Sequence, residues 1–282
     1  MAERPSADEL LIEEIAVDDE DETLGVIAIA TINRPDKLNA LNQQVYSALK
    51  QTCAWVEHEE QVRLLIIKGA EPNEPPEGKR AKPRSFVAGA DISEFQGKGS
   101  VDIRQSFTDN AWEAIWNLSK PTIAMIDGFA LGGGLEVALS CDIRVVSETS
   151  RFATPEINLG LIPGGGGTQR LARLVGYGKA IEMVMSGEMI DANSALTLGL
   201  VNHVCQANEL ESTTMELAKN IASKSAHTLR VAKKVVRSAL EKPLNEGVEI
   251  EAIEFAGLFD SEDKEIGVNA FLNREKAVWK NR

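Results

Sequence analysis

Cysteine is scarce in this chain, with only Cys53, Cys141 and Cys205 among 282 residues, widely and irregularly spaced. That excludes a CxxC redox pair, a locally built four-ligand zinc site and a disulfide scaffold, and it suits a reducing compartment. Histidine is as sparse: His58, His203 and His227 stand far apart with no carboxylate or cysteine at ligand spacing, so no metal is expected. No apolar run approaches the length of a membrane span. The N-terminus lacks a basic n-region, an apolar h-region and an Arg-rich amphipathic stretch, so no secretory or import leader is expected and the location is read as cytoplasmic. Positive charge is in deficit, with 30 Lys plus Arg against 43 Asp plus Glu and a net charge of −13, which repels polyanions and counts against nucleic acid as a partner.

Three common catalytic and nucleotide signatures are also missing. Ser140 lacks the G-x-S-x-G turn of a nucleophile elbow. Gly164 to Gly167 lead into Thr168-Gln169-Arg170, without the Gly-Lys-Ser/Thr ending that wraps nucleotide phosphates. Gly176-Tyr177-Gly178 meets Ile181 where a dinucleotide fingerprint needs a third glycine. What is present is an ordinary globular composition, 43% hydrophobic and 26% charged, in a chain long enough for one or two domains.

The hydrophobic pattern alternates. Leu24 to Ile32 is a β-branched apolar run ending in the turn residues Asn33-Arg34-Pro35-Asp36. From Asn39, apolar Leu41, Val45, Leu49, Cys53 and Val56 recur at helical spacing, and Val62 to Lys68 returns to a buried-strand pattern. This β-α-β unit implies parallel strands if the two share a sheet. Ala70 to Arg84 is rich in proline and charge and predicts an exposed loop, with Lys79, Arg80 and Lys82 as solvated bases. Pro121 to Asp127 and Cys141 to Ser147 are two more buried-type strands. Beyond Val204 only helices are expected, over 208–222, 227–240 and 245–259. The organisation predicted is an acidic extension over residues 1–23, where the acids run from Glu3 to Glu22 against a single base, Arg4; an α/β core over 24–205; and a helical region over 206–282.

Two segments point to chemistry. In Gly128-Phe129-Ala130-Leu131-Gly132-Gly133-Gly134-Leu135-Glu136, three glycines after a strand set bare N–H groups at a helix start, where they can bind a developing oxyanion. Ser85 to Ile92 is a strand ending in a small-residue turn that can present a second N–H beside the first. Glu136 sits among Leu135, Val137, Ala138 and Leu139, and Glu156 leads into another run of small and apolar residues. Either acid alone reads as a cap or an exposed charge; both together, beside glycine turns, read as a catalytic pair.

At these residues the sequence resembles the enoyl-CoA hydratase/isomerase (crotonase) superfamily. The matching blocks, in order, are NRPDKLNAL from Asn33, SFVAGADI from Ser85, KPTIAMIDGFALGGGLEVALSCDI from Lys120, FATPEINLGLIPGGGGTQRL from Phe152 and SGEMIDANSALTLGLVNHV from Ser186. The resemblance implies an α/β fold of the ClpP/crotonase kind, a superhelix of β-β-α turns with two nearly perpendicular sheets and a C-terminal helical region. It further implies an acyl-CoA thioester substrate, no separate cofactor, and a homotrimer or a hexamer made as a dimer of trimers. Carried across by motif, the N–H groups of Ala90 and Gly133 form the oxyanion hole, with the helix beginning near Gly132 assisting. Gly164 supplies an N–H to the reacting water. Lys37, Leu38 and Ala40 match the adenine-pocket segment, and Ala88, Asp91 and Ile92 of the SFVAGADI block are further substrate-binding positions. Arg84 matches a base near the CoA phosphates, and Phe95 and Trp112 match positions that face the acyl chain and narrow it to short groups.

Hydratases of this superfamily keep both acids, whereas isomerases that move a 3-enoyl double bond rely on the acid after proline. Retention of Glu136 and Glu156 therefore implies reversible syn hydration of short trans-2-enoyl-CoA, a hydro-lyase reaction of fatty-acid metabolism. The alternatives are an isomerase or another crotonase-type lyase and, in a different class, a non-catalytic acyl-CoA or RNA-binding scaffold.

Overall fold

The computed structural model describes residues 4–19, 22–106 and 110–282. The first two strands, β1 (Leu10–Asp19) and β2 (Glu22–Ile32), form an antiparallel hairpin with Leu10 opposite Ile32. Much of the stretch set apart as an acidic extension is thus a strand of the main sheet, with Leu10 and Val17 buried. Leu10, Ile12, Ile15 and Val17 give the segment an apolar content that its acids conceal. Glu3, Glu20 and Asp21 lie outside the described residues.

Helix α1 (Gln43–His58) follows and begins later than the apolar spacing predicts. The Asn42 side chain caps it, and Leu38 and Asn39, at φ of 52° and 58°, hold the preceding segment in a tight left-handed turn. Strand β3 (Val62–Gly69) lies parallel to β2, as the β-α-β reading expects. The exposed loop 70–84 leads to β4 (Ser85–Val87), then α2 (Ser100–Ser106), α3 (Ala111–Asn117) and β5 (Thr122–Ile126). Strand β6 (Phe129–Leu131), α4 (Gly133–Ser140), β7 (Ile143–Ser147) and β8 (Arg151–Ala153) complete the first part of the core. After it come α5 (Gly167–Val175), α6 (Tyr177–Ser186), β9 (Ile190–Asp191), α7 (Ala192–Thr197) and β10 (His203–Cys205).

The sheet orders show how the chain winds. One sheet runs β1-β2-β3-β5-β7-β10 and the other β4-β6-β8-β9. Each of β3, β5 and β7 is followed by a strand of the second sheet and then by helical structure, so the fold is a superhelix of β-β-α turns. Residues of β2 and β3 alternate between two cores. Ile27, Ile29, Leu64 and Ile66 pack under helix α8 (Leu210–Ala222), while Ala28, Ala30, Leu65 and Ile67 join the core that includes Phe86, Trp112, Leu135 and Phe152.

The remaining helices are α9 (Ala226–Ser238), α10 (Leu244–Gly257) and α11 (Glu262–Asn273), the last not anticipated from sequence. Helix α9 is tied to the core at Asp142, which pairs with Lys233 at 2.8 Å and Arg237 at 2.7 Å. The C-terminal end folds back on α11: buried Asp263 accepts from the Lys280 and Asn281 amides at 2.7 and 3.0 Å. Among the described residues no helix is long and apolar enough to cross a membrane, and no cluster of three or more His, Cys, Asp or Glu side chains is arranged to hold a metal.

Candidate active site

Helix α4 opens on Gly132 at φ 50°, a backbone conformation that disfavours any side chain. The Gly132 amide is used, donating to the Ala153 carbonyl at 2.9 Å, so the first free amide of the helix is that of Gly133. Its neighbour is set by a short parallel pairing. The Leu41 amide donates to Gly89 O at 2.8 Å and the Asp91 amide to Leu41 O at 2.7 Å, which turns the Ala90 N–H to the opposite side. A β-carbon on Gly133 would stand 3.7 Å from Ala90 N, so the two amides flank one spot. Two neighbouring N–H groups, one of them at a helix start, can hold a carbonyl oxygen that gains negative charge.

Two carboxylates lie close by, one beside Gly132 and one in the first turn of α4. Glu136, in the first turn of α4, is 2% exposed, and its Oε1 accepts from the Gly167 amide at 2.8 Å. Burial pushes its pKa up to about 7, with Glu156 raising it further and the amides of Gly167 and Gly165 and the Arg170 charge opposing. Glu156 lies on the 3-10 turn Pro155–Leu159, where its carboxylate closes on Gly132: a β-carbon there would meet Oε1 at 2.7 Å. Its Oε2 is buried without a hydrogen-bond partner among the described residues, and burial raises its pKa as well. An acid held part-protonated near neutrality beside a second, partly buried acid can serve together with it, one taking a proton as the other gives one.

The arc Gly165–Gly167 joins these parts. A β-carbon on Gly165 would strike the Trp112 ring, and one on Gly167 would stand 2.9 Å from Glu136 Cγ. Trp112 is buried, donates from Nε1 to Gly133 O at 3.2 Å, and stacks obliquely on Tyr46 with ring centroids 4.9 Å apart. It therefore forms a wall of the site. Phe95, 37% exposed, instead lines an open apolar hollow of about 450 Å³ with Ile92, Leu159 and Leu161.

The structure brings the other sequence-predicted residues together unevenly. Leu38 and Ala40 do lie along Ala88 and Asp91: the Ala88 amide donates to Leu38 O at 3.1 Å, and Arg34 reaches Ala40 O at 2.6 Å and Asp91 Oδ2 at 3.0 Å, while Lys37 is placed in the same turn by the Ala40 amide, which donates to its carbonyl at 3.1 Å. The Asp91 side chain thus serves Arg34 and Ser93. Arg84 is half-exposed, but it pairs with Asp127 at 2.5 Å and Glu71 at 2.9 Å. Gly164 is exposed, and the amide that reaches Glu136 is that of Gly167. Sequence reasoning passed over Gly167, Arg170, Tyr46, Leu159 and Leu161. The run Gly164 to Arg170 was visible as a failed nucleotide loop and as part of a matching block, from which only Gly164 was given a role, and nothing in Tyr46 signals its place beside the acid.

A family model described as enoyl-CoA hydratase/isomerase matches residues 22–282. The chain belongs to the enoyl-CoA hydratase/isomerase family. It is similar to a probable enoyl-CoA hydratase of Rhizobium meliloti, 40% identical over 93% of this chain and 97% of that one. A short-chain-enoyl-CoA hydratase of Clostridium acetobutylicum is 37% identical over 92% of this chain and 96% of its own length. Among solved structures, an enoyl-CoA hydratase from Bacillus anthracis superposes with a TM-score of 0.85 at 29% identity, covering 97% of this chain and 100% of that one. The α/β crotonase fold expected from the sequence blocks is the fold found, and the chain is an enzyme of this family.

Proposed function

We propose that the enzyme catalyses reversible syn hydration of short-chain trans-2-enoyl-CoA thioesters to 3-hydroxyacyl-CoA. The observation that carries this reading is the pair of acids beside the start of α4: buried Glu136, held by the Gly167 amide, and Glu156, whose carboxylate closes on Gly132. The thioester oxygen sits between the N–H groups of Ala90 and Gly133, which draws electron density from C3 and stabilises the enolate that forms. Ionised Glu136 takes a proton from water as its oxygen bonds to C3, and Glu156, protonated, gives a proton to C2. One water is consumed, and the two carboxyls exchange protonation states until a proton returns. The same groups run dehydration in reverse.

Coenzyme A travels with the substrate and no further cofactor takes part. Lys37, Leu38, Ala40, Ala88 and Arg84 line its path, the Gly164 amide assists the water, and the hollow at Ile92 and Phe95 takes the acyl end. Short chains are favoured because Trp112 is locked in place by Gly165 and Gly133. A homotrimer or dimer of trimers is part of the reading, supported by the exposed Ile253, Phe255, Phe259 and Phe271 on the C-terminal helices. So is a cytoplasmic setting, supported by three unpaired cysteines.

The test is loss of the conjugated-thioester ultraviolet absorbance of crotonyl-CoA. Glu136→Gln and Glu156→Gln are each expected to lower kcat by about 10²–10⁴-fold. Wild-type protein inert toward crotonyl-CoA would overturn the short-chain reading, and full activity in either variant would overturn the two-acid mechanism.

A further inference from the structure

Arg170 stands outside every role assigned so far. It lies in the first turn of α5 with its side chain 11% exposed, and Nη1 donates to the Gly165 carbonyl at 2.8 Å. Gly166, at φ 97°, bends the chain around the guanidinium, and a β-carbon there would overlap Nη1. The next amide, that of Gly167, donates to Glu136. Anchoring the Gly165 carbonyl from below therefore fixes the arc from which Glu136 is held.

The charge of Arg170 is also left largely unspent. Its carboxylate partner, Glu113, is 56% exposed and 3.5 Å away. Arg237 makes the informative contrast. Both guanidiniums stack on the Trp116 ring, at 4.8 Å for Arg170 and 4.1 Å for Arg237, but Arg237 is paired closely with Asp142 at 2.7 Å. The groups that face Glu136 are few. Glu156 comes from the turn after β8, the Tyr46 hydroxyl from α1 and Arg170 from α5, while α3 contributes uncharged Trp112, and β4 and β6 carry no titratable side chain. Among the described residues, Arg170 is the cation in this set.

We propose that Arg170 is a positioning residue for the reaction: it holds the Gly165–Gly167 arc against Glu136 and supplies the fixed positive charge that keeps this carboxylate available as a base. The proposal rests on the hydratase reading for its rate effect, though not for its electrostatic one.

The experiment follows the protonated-carboxyl infrared band of Glu136, assigned by its loss in Glu136→Gln, against pH in full-length wild type, Arg170→Gln, Arg170→Lys and Arg237→Gln. Crotonyl-CoA kinetics are measured on the same proteins. Arg170→Gln is expected to move the Glu136 midpoint to higher pH, through the lost charge and the loosened Gly165–Gly167 arc, and to lower kcat about tenfold or more, with KM changed less than about threefold. Arg170→Lys keeps the midpoint near that of wild type and recovers part of kcat, and Arg237→Gln leaves the midpoint in place. Should Arg170→Gln fail to fold, Arg170→Lys carries the test, with the midpoint kept and kcat lowered. An unmoved midpoint in Arg170→Gln, a displaced one in Arg170→Lys, or an equal displacement in Arg237→Gln would overturn the proposal. A wild type that hydrates no enoyl-CoA overturns the hydratase reading instead, and the infrared midpoints still decide the role of Arg170.

Discussion

The indole of Trp112 and the backbone of Gly165 are in direct contact, so close that a β-carbon at position 165 would come within 2.5 Å of ring atom Cε2. Trp112 also donates to the Gly133 carbonyl at 3.2 Å, so the ring spaces the glycine arc from the amide proposed to hold the thioester oxygen. Gly165→Ala is expected to cost about 1–3 kcal/mol of stability through overpacking. Denaturant unfolding at fixed protein concentration checks this. In the double variant with Trp112→Phe, the combined loss should fall short of the sum, because the smaller ring admits the added methyl.

Keeping Glu136 buried opposes folding. Its carboxyl is pushed up to about 7 in the folded protein, against an ordinary glutamate in the unfolded chain. A raised folded pKa means that the unfolded state ionises first: the contribution of Glu136 to stability is full below the ordinary glutamate pKa and is lost as pH rises through about 7. Glu136→Gln removes this dependence while keeping an acceptor for the Gly167 amide. The variant should match wild type near pH 4 and exceed it at pH 8 by on the order of 3 kcal/mol. Equal pH dependence of unfolding in the two proteins would refute this.

The same buried acid sets the pH dependence of the rate. Because Glu136 must be ionised to accept the proton of water, kcat/KM should rise across the region around pH 7 rather than around the ordinary carboxylate range. Glu156 raises the Glu136 pKa, so the two titrate as a pair, and Glu156→Gln should bring the ionisation of Glu136 to lower pH. An infrared titration of the carboxyl band reads this even where turnover is lost.

Arg84 offers a test of where the coenzyme lies. It is already paired with Asp127 and Glu71, so it meets a phosphate as a shared rather than a free cation. Arg84→Gln is expected to raise KM for crotonyl-CoA about three- to tenfold with kcat unchanged, as loss of uniform binding does. An unaltered KM would remove Arg84 from the coenzyme path.

Much of this was legible in the residues, for identifiable reasons. The strands β2, β3, β5 and β7 are buried on both faces, and such strands read as continuous apolar runs. Glu136 and Glu156 stood out because carboxylates are out of place among small and apolar neighbours. What stayed hidden depends on long-range contact. Strand β1 is part of the sheet through pairing with β2, and its acid content spoke against burial. The start of α1 is displaced by Asn39, whose buried side chain donates to Ser85 O at 2.7 Å and Ala70 O at 2.9 Å, partners that no local window contains. Gly167 rather than Gly164 reaches Glu136 because the arc bends at Gly166, and which of four consecutive glycines bends cannot be read from their identity.

The winding of the chain has a consequence for how the site can change. Ala90 follows β4, Gly133 and Glu136 follow β6, and Glu156 follows β8, so three successive coils of the superhelix deliver their components to the same seam, the middle one giving both an amide and an acid. The seam is therefore a readout of coil-to-coil register: slipping one coil against the next would separate Ala90 or Glu156 from the Gly133–Glu136 pair without altering any single coil. Insertions that emerge at the rim between coils, as the proline-rich 70–84 loop does, leave that register intact, so sequence length can drift there while the spacing of the reactive groups is conserved by geometry.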